Sequence, residues 1–248
     1  MPVLVRNIKL YPDEDESLLS EKAAAALGVE QAEFRHVRLV RSSLDARKKN
    51  DIHFSCTLEA TLEANTERKL VARGKADEIK PERREPRAMG ETPLRAPVVV
   101  VGLGPCGLFA ALTLLRAGYK VVCIERGRRV DERARDVEAF WRGGKLDETS
   151  NVLFGAGGAG TFSDGKLTTR IKDERVSRVI DEFIKFGAPQ RLRTSAKPHI
   201  GTDVLRSIVR AMCAQIEALG GRLRFETKLT DIHVENGALK AVSVGNER

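Results

Sequence analysis

Residues 98–126 read VVVVGLGPCGLFAALTLLRAGYKVVCIER, and the order of residue types in that stretch decides the fold. Val98 to Val101 form an apolar run without alternation, the pattern of a strand buried on both faces of a parallel sheet. Gly102, Gly104 and Gly107 follow at once. In a βαβ unit the first glycine permits a tight turn, the second lets the backbone approach a pyrophosphate, and the third lets helix and strand pack closely. The pyrophosphate then rests on free N–H groups at the helix N-terminus, beside Pro105 and Cys106. Leu108, Ala111, Leu112 and Leu115 recur at helical spacing, Gly118 supplies a stop, and Tyr119 to Ile124 predict a second strand. Glu125 ends that strand, followed by Arg126. An acid about 20 residues beyond the glycines accepts hydrogen bonds from a ribose diol and repels a 2′-phosphate.

A glycine fingerprint alone is weak, but Ala111, Leu114, Gly118, Val121 and Glu125 keep the offsets of the dinucleotide-binding pattern shared by FAD and NAD proteins. The alternative is an ordinary βαβ unit with a tight turn and no ligand. Cys106 has no CxxC partner and reads as a small packing residue within the turn.

The chain has 248 residues, 42% hydrophobic and 31% charged, enough for one large or two ordinary globular domains. Cys56, Cys106, Cys123 and Cys213 lie far apart, without zinc or disulfide spacing, which suits a reducing cytosol. The apolar runs are too short to cross a bilayer and are broken by Arg116 and Lys120, so a soluble cytoplasmic protein with no membrane role is expected. The net charge is +8. Residues 1–97 hold 18 Lys and Arg against 17 Asp and Glu, so nearly all of the excess falls in residues 98–248. Basic groups there suit a phosphate-bearing cofactor and could also attract acidic substrates or nucleic acid. Without clustered aromatics or an RNA-binding motif, nucleic acid is the less favoured partner.

Residues 80–97, KPERREPRAMGETPLRAP, hold four of the nine prolines and little apolar content, and read as a linker. Before it, a strand is predicted at Leu4 to Leu10, a helix at Ser17 to Leu27 and a strand at Phe34 to Arg41, then a hairpin-like pair at His53 to Glu63 and Arg68 to Ala76. The order β-α-β-β-β predicts a small α+β domain over 1–79, with a ferredoxin-like arrangement as one option. RSSLDARKKND, residues 41–51, joins two of those strands; its Arg47, Lys48 and Lys49 suit an anion or form a solvated turn.

Beyond residue 126 a helix is predicted at Asp131 to Trp141. Residues 154–170, FGAGGAGTFSDGKLTTR, contain five glycines and little that supports a regular element. Such a loop allows close backbone approach to a ligand, and its amides can form an anion-binding nest to which Ser163, Asp164 and Lys166 add polar groups. Asp203 to Leu219 reads as an amphipathic helix stopped by Gly220-Gly221, followed by strands at Arg222 to Glu226, Leu229 to Glu235 and Ala238 to Val244.

The runs GLGPCGLFAALTLLRAGYKVVCIERG, DVEAFWRGGKLDETSNVLFG, GGAGTFSDGKLTTRI and KPHIGTDVL, together with RSSLDARKK, resemble a family of bacterial FAD-dependent dehydrogenases of largely undefined substrate. The resemblance spans most of the chain and implies FAD in a glutathione-reductase-like fold. It places Gly102, Gly104 and Gly107 against the FAD pyrophosphate and Glu125 at the adenosine ribose. It puts Gly157, Gly158, Gly160, Thr161, Ser163, Asp164, Gly165 and Lys166 near the flavin or its phosphates, and His199, Gly201 and Thr202 on the substrate side. The family carries an acid before the double glycine, where this chain has Ala156. His199, beside Gly and Thr in its motif, is the acid–base candidate, with a structural histidine as the alternative. Asp164 and Lys166 orient substrate, tune the flavin or form a salt bridge.

The sequence thus predicts an α/β protein in which a Rossmann-like FAD-binding domain, 98–248, follows the small α+β domain and its linker. The family fold continues beyond the elements read here, so the chain is expected to be an N-terminal portion, with activity in isolation not assumed. The expected chemistry is redox of a small-molecule substrate through FAD, with a nicotinamide as a candidate electron donor. A directly NAD-binding dehydrogenase and an RNA-modification-associated binding module are the competing readings.

Overall fold

A computed structural model describes residues 2–79, 94, 96–163, 165–167, 169, 171, 173 and 175–245. The chain divides into two compact units, one formed by Met1–Ala88, Thr168–Asp181 and Pro189–Pro198, the other by Met89–Leu167, Glu182–Ala188 and His199–Arg248. Most of the linker expected at 80–97 lies outside the described residues.

The first unit runs β1 (Val3–Leu10), α1 (Leu18–Leu27), β2 (His36–Asp45), β3 (His53–Thr61), α2 (Ala64–Ala72) and β4 (Asp77–Glu78). Its antiparallel sheet has the order β2-β3-β1-β4. In β1 the inward residues are Val3 and Val5, then Ile8 and Leu10; a register shift between Val5 and Ile8, with Asn7 at φ 59°, resets the alternation. These side chains meet Leu19, Ala23 and Leu27 of α1, Cys56, Leu58 and Ala60 of β3 and Leu70 of α2 in one core. Residues 194–196 pair alongside β2, where Ser42 N donates to Thr194 O (2.7 Å) and Ala196 N donates to Ser42 O (3.0 Å).

The structure corrects one element here. The strand expected at Arg68 to Ala76 is instead the second half of helix α2 and the turn after it, because Glu67 and Leu70, three residues apart, are both buried on the inner side of the helix. Gly74, at φ 67°, then ends the helix. Strand β2 also extends to Asp45, so only the second half of the 41–51 fragment is a connection.

The second unit contains β5 (Val98–Val101), α3 (Pro105–Arg116), β6 (Val121–Ile124), α4 (Val130–Trp141), part of α5 (Arg175–Lys185), α6 (Thr202–Ala218), β7 (Arg222–Arg224), β8 (Leu229–Glu235) and β9 (Ala238–Val244). Strands β5, β6 and β7 form a parallel sheet in that order, with Val98 opposite Val121 and Val122 opposite Arg222. A Cβ on Gly221 would stand 2.7 Å from Ile216 and 2.9 Å from Leu115, so α6, α3 and the start of β7 pack without space for a side chain. Strands β8 and β9 form a hairpin whose turn, Asn236-Gly237, has positive φ at both residues, the geometry that matches strand twist.

A second correction concerns the four valines. Val100 is buried, but Val99 and Val101 are 37% and 53% exposed. Helix α3 covers the Val100 face of β5, an edge strand of the described sheet, and Val99 and Val101 point to the other, open face. Among the described residues no helix is long and apolar enough to cross a membrane.

Candidate nucleotide-binding site

Two glycine-bearing turns face each other beyond the C-terminal ends of β5 and β6. In the first, a Cβ on Gly107 would stand 1.9 Å from Gly102 O, so only glycine lets α3 start this close to its strand. Gly104 caps α3, and a Cβ there would find nothing nearer than Gly158 Cα at 3.9 Å. The backbone at Gly104 is therefore open to a ligand. Pro105 at the first position of α3 has no N–H, and the amides of Cys106 and Gly107 precede the first amide that donates within the helix. Leu108 N is the first in the helix to bond back, to Gly104 O at 3.0 Å.

The second turn is latched to the first. Gly157 N donates to Leu103 O (2.7 Å), and Gly158, at φ 68°, sits where a Cβ would meet Gly104 Cα at 3.1 Å and Pro105 Cδ at 3.2 Å. Glu125 joins both turns. Its Oε2 accepts from Leu103 N (2.8 Å), while Oε1 accepts from Gly127 N (2.9 Å) and Gly155 N (3.1 Å). A carboxylate has roughly four lone-pair positions. Three backbone amides thus leave about one free, so Glu125, 5% exposed, is a structural clamp as well as a candidate ribose acceptor.

Arg133 of α4 balances that buried charge and is a residue the sequence reading missed. It is fully buried, and its guanidinium donates to the carbonyls of Asn151 (2.8 Å), Val152 (2.9 Å), Ala156 (2.7 Å), Gly158 (2.8 Å) and Gly155 (3.2 Å). Its plane also lies 4.8 Å from the centre of the Phe162 ring. Burial pulls its pKa down to about 10, opposed by the nearby Glu125 charge, so it remains a cation at neutral pH. Ala156, where the resembled family carries an acid, is fully buried beneath this arginine. An acid at 156 would have to enter the closed side of the loop.

Between the turns lies a cavity of about 470 Å³. Of the expected residues, Gly102, Gly104, Glu125, Arg126 and Gly158 line it. Val101, Ile124, Leu153, Phe154, Gly155 and the Thr227–Leu229 segment complete the wall. Arg126 stacks its guanidinium 3.9 Å from the Phe154 ring centre and donates to Glu148 O (3.2 Å). Thr227 reaches the wall because its N–H donates to Glu125 O (2.8 Å), continuing the pairing beyond β7.

The other expected residues sit elsewhere in the same loops. Pro105, Cys106 and Gly107 form the first turn of α3, and Cys106 is exposed as a free thiol. Gly157, Gly160, Thr161, Ser163 and Gly165 belong to the second loop without lining the cavity; Thr161 is fully buried, and Ser163 Oγ donates to Gly160 O (2.8 Å). Lys166 and His199 are brought opposite each other by an antiparallel bridge, where Ile200 N donates to Gly165 O (2.9 Å); both are exposed. Asp164 lies outside the described residues. Among the described residues no group of three or more His, Cys, Asp or Glu is placed to hold a metal ion.

Comparison with known proteins bears on both units. Residues 95–246 match the family described as FAD binding domain, and residues 1–61 match the Domain of unknown function (DUF8436). A Clostridium beijerinckii protein (strain ATCC 51743 / NCIMB 8052), described only as an uncharacterized protein, is 42% identical over 253 residues, covering all of this chain and 46% of that protein. The chain thus spans about half the length of the curated relative it matches. Among solved structures, the Diels-Alderase PyrE3 is 18% identical with a TM-score of 0.33, covering 60% of this chain and 29% of that one. An L-amino acid deaminase from Proteus vulgaris is 18% identical with a TM-score of 0.30, covering 64% and 46%. Likeness at that level says nothing about the chemistry of this chain.

Proposed function

The chain belongs to the FAD binding domain family, and on that premise we propose that it forms the nucleotide-binding part of a flavin oxidoreductase, a dehydrogenase acting on a small-molecule substrate. FAD is its cofactor. The observation that carries the reading is the open backbone at Gly104, set between the first turn of α3 and the opposed Gly158. That opening fits a pyrophosphate, because the protein itself fills the equivalent space at Gly107 and leaves it clear at Gly104.

In this reading Gly102, Gly104, Pro105, Cys106 and Gly107 hold the pyrophosphate, and the remaining acceptor position of Glu125 takes a ribose hydroxyl. Arg126 on Phe154 supplies a cationic, flat surface beside it. The loop through Gly157, Gly158, Gly160, Thr161, Ser163 and Gly165 flanks the cofactor, fixed in shape by Arg133. Bound flavin supplies the capacity to accept a hydride. The exposed pair Lys166 and His199 is assigned the substrate side, where the imidazole exchanges a proton with the substrate and the ammonium favours an anionic one.

A Rossmann-like arrangement for 98–248 is supported by the parallel order β5-β6-β7 with α3 between β5 and β6. A ferredoxin-like arrangement for 1–79 is supported by the order β1-α1-β2-β3-α2-β4 and the sheet order β2-β3-β1-β4. The free thiols of Cys56, Cys106, Cys123 and Cys213 suit a reducing, cytoplasmic setting. A nicotinamide is proposed as electron donor. The test is anaerobic addition of NADH or NADPH to the FAD-loaded chain. The visible flavin absorbance should bleach with one of them and return on admitting oxygen. No bleaching with either removes the nicotinamide donor, and flavin that washes out on desalting removes the flavin reading.

A further inference from the structure

We propose that the helix-free face of the N-terminal sheet carries a second ligand site, at its hairpin end, for the oxyanion group of a small molecule, either a phosphate or a carboxylate. Strand β3 sends Cys56, Leu58 and Ala60 into the core, so His53 and Ser55 face the other way. Ser55 is paired with Lys9 of β1, and His53 with Asp45 of β2. Together with the connecting hairpin they enclose a cavity of about 620 Å³.

The charges in its wall are mostly neutralised in pairs. Arg47 donates to both oxygens of Asp45, at 2.9 and 2.6 Å. Asp51 accepts from Lys9 Nζ (2.9 Å) and from the Tyr11 hydroxyl (3.3 Å). Lys48 remains, a cation with no partner among the described residues. The wall therefore holds three cations against two carboxylates that are already bonded. His53 is a built part of it: its side chain is 8% exposed, and Nδ1 is held 3.0 Å from Asp51 O and 3.2 Å from Asp51 Oδ1. With Nδ1–H donating to Asp51 O, the Nε2 of the neutral ring is an acceptor; it and the Ser55 hydroxyl have no hydrogen-bond partner among the described residues, so one acceptor and one hydroxyl adjoin the unpaired ammonium. The ammonium and the hydroxyl donate to an oxyanion, and Nε2 accepts from the O–H of a monohydrogen phosphate. No Phe, Tyr or Trp lines the cavity, so the stacking surface that single-stranded RNA requires is missing there.

The FAD-loaded chain, in which the glycine turn is already filled, is titrated with inorganic phosphate and separately with succinate, at constant pH and ionic strength. The imidazole resonances are followed by NMR, with that of His53 identified from His53→Gln. One anion should shift the His53 resonance saturably while leaving His233 unmoved, and the anion that saturates at lower concentration identifies the group. Lys48→Glu should weaken that binding at least tenfold with FAD content unchanged. No saturable shift with either anion, or equal affinity in Lys48→Glu, overturns the site. Tighter binding of a single-stranded RNA oligonucleotide that Lys48→Glu abolishes would replace it with a nucleic-acid surface. The His53 signal reports this site whether or not FAD is retained, so its outcome stands apart from the flavin reading.

Discussion

Gly104 and Gly107 are both glycine for reasons of space, but the space belongs to different partners. At Gly107 the protein's own Gly102 carbonyl would lie 1.9 Å from a Cβ, whereas at Gly104 the nearest atom is 3.9 Å away. Gly107→Ala is therefore expected to cost about 2–4 kcal/mol of stability, read by denaturant unfolding. Gly104→Val should change stability by about 1 kcal/mol or less yet abolish FAD retention, because its branches occupy the ligand's approach. Retention in Gly104→Val would contradict the assigned turn. Thiol chemistry separates the cysteines similarly. Burial pushes Cys123 up to about 11 and Cys213 up to about 12, and raises Cys56, whereas Cys106 is exposed at the start of α3. Iodoacetamide near neutral pH should label Cys106 alone in the folded chain, and FAD should slow it, as peptide mass spectrometry would reveal; labelling of Cys213 before Cys106 would count against the packing described. The glycines were legible because their demands are local to a few consecutive residues. Arg133 was not, since its five partners are backbone carbonyls, which no side-chain pattern announces.

Helix α4 acts on the site through that one arginine, which fixes the shape of residues 151–158. Arg133→Lys keeps the charge but offers one ammonium to carbonyls arrayed around a planar fork. It is expected to lower stability by about 3 kcal/mol and to weaken FAD binding more than tenfold, while the circular dichroism of the folded chain stays unchanged. Unaltered FAD affinity would mean that the loop holds its shape without the arginine. Most elements could be read from periodicity, including α1, α3, α4, α6 and the β8–β9 hairpin. Helix α2 could not, because Val71 and Ala72 suit a strand locally while burial of Glu67 and Leu70 on one side decides for helix. The valines of β5 misled in another way: an unbroken apolar run promises two covered faces, yet Val101 remains 53% exposed and lines the cavity. Helix α5 had a readable signal, with Val176, Ile180, Phe183 and Ile184 at helical spacing, overshadowed by the charged residues between them.

Across the whole molecule, paired charges set the response to acid. Arg47 hydrogen bonds hold Asp45 well below the usual carboxylate range, Arg175 does the same for Asp173, and Arg210 and Lys9 lower Asp131 and Asp51. A depressed carboxylate adds stability that is present above its ordinary pKa of about 3.9 and is lost as pH falls through the folded-state value. The unfolding temperature should therefore begin to drop below about pH 5 and keep dropping below about pH 3. Each pair is solvent-exposed and contributes little, so added salt should shrink the effect. A flat profile would mean that these pairs do not persist in solution. The sequence carried the nucleotide-binding class through one contiguous stretch, whereas the clamp formed by Glu125, Arg133 and the second loop needed three dimensions to be seen. The visible absorption spectrum of the purified chain, desalted after incubation with FAD, tests most directly whether FAD sits at the paired glycine turns. About one FAD should be retained per chain and released only on denaturation. A well-folded chain that stays colourless under the same conditions would contradict it.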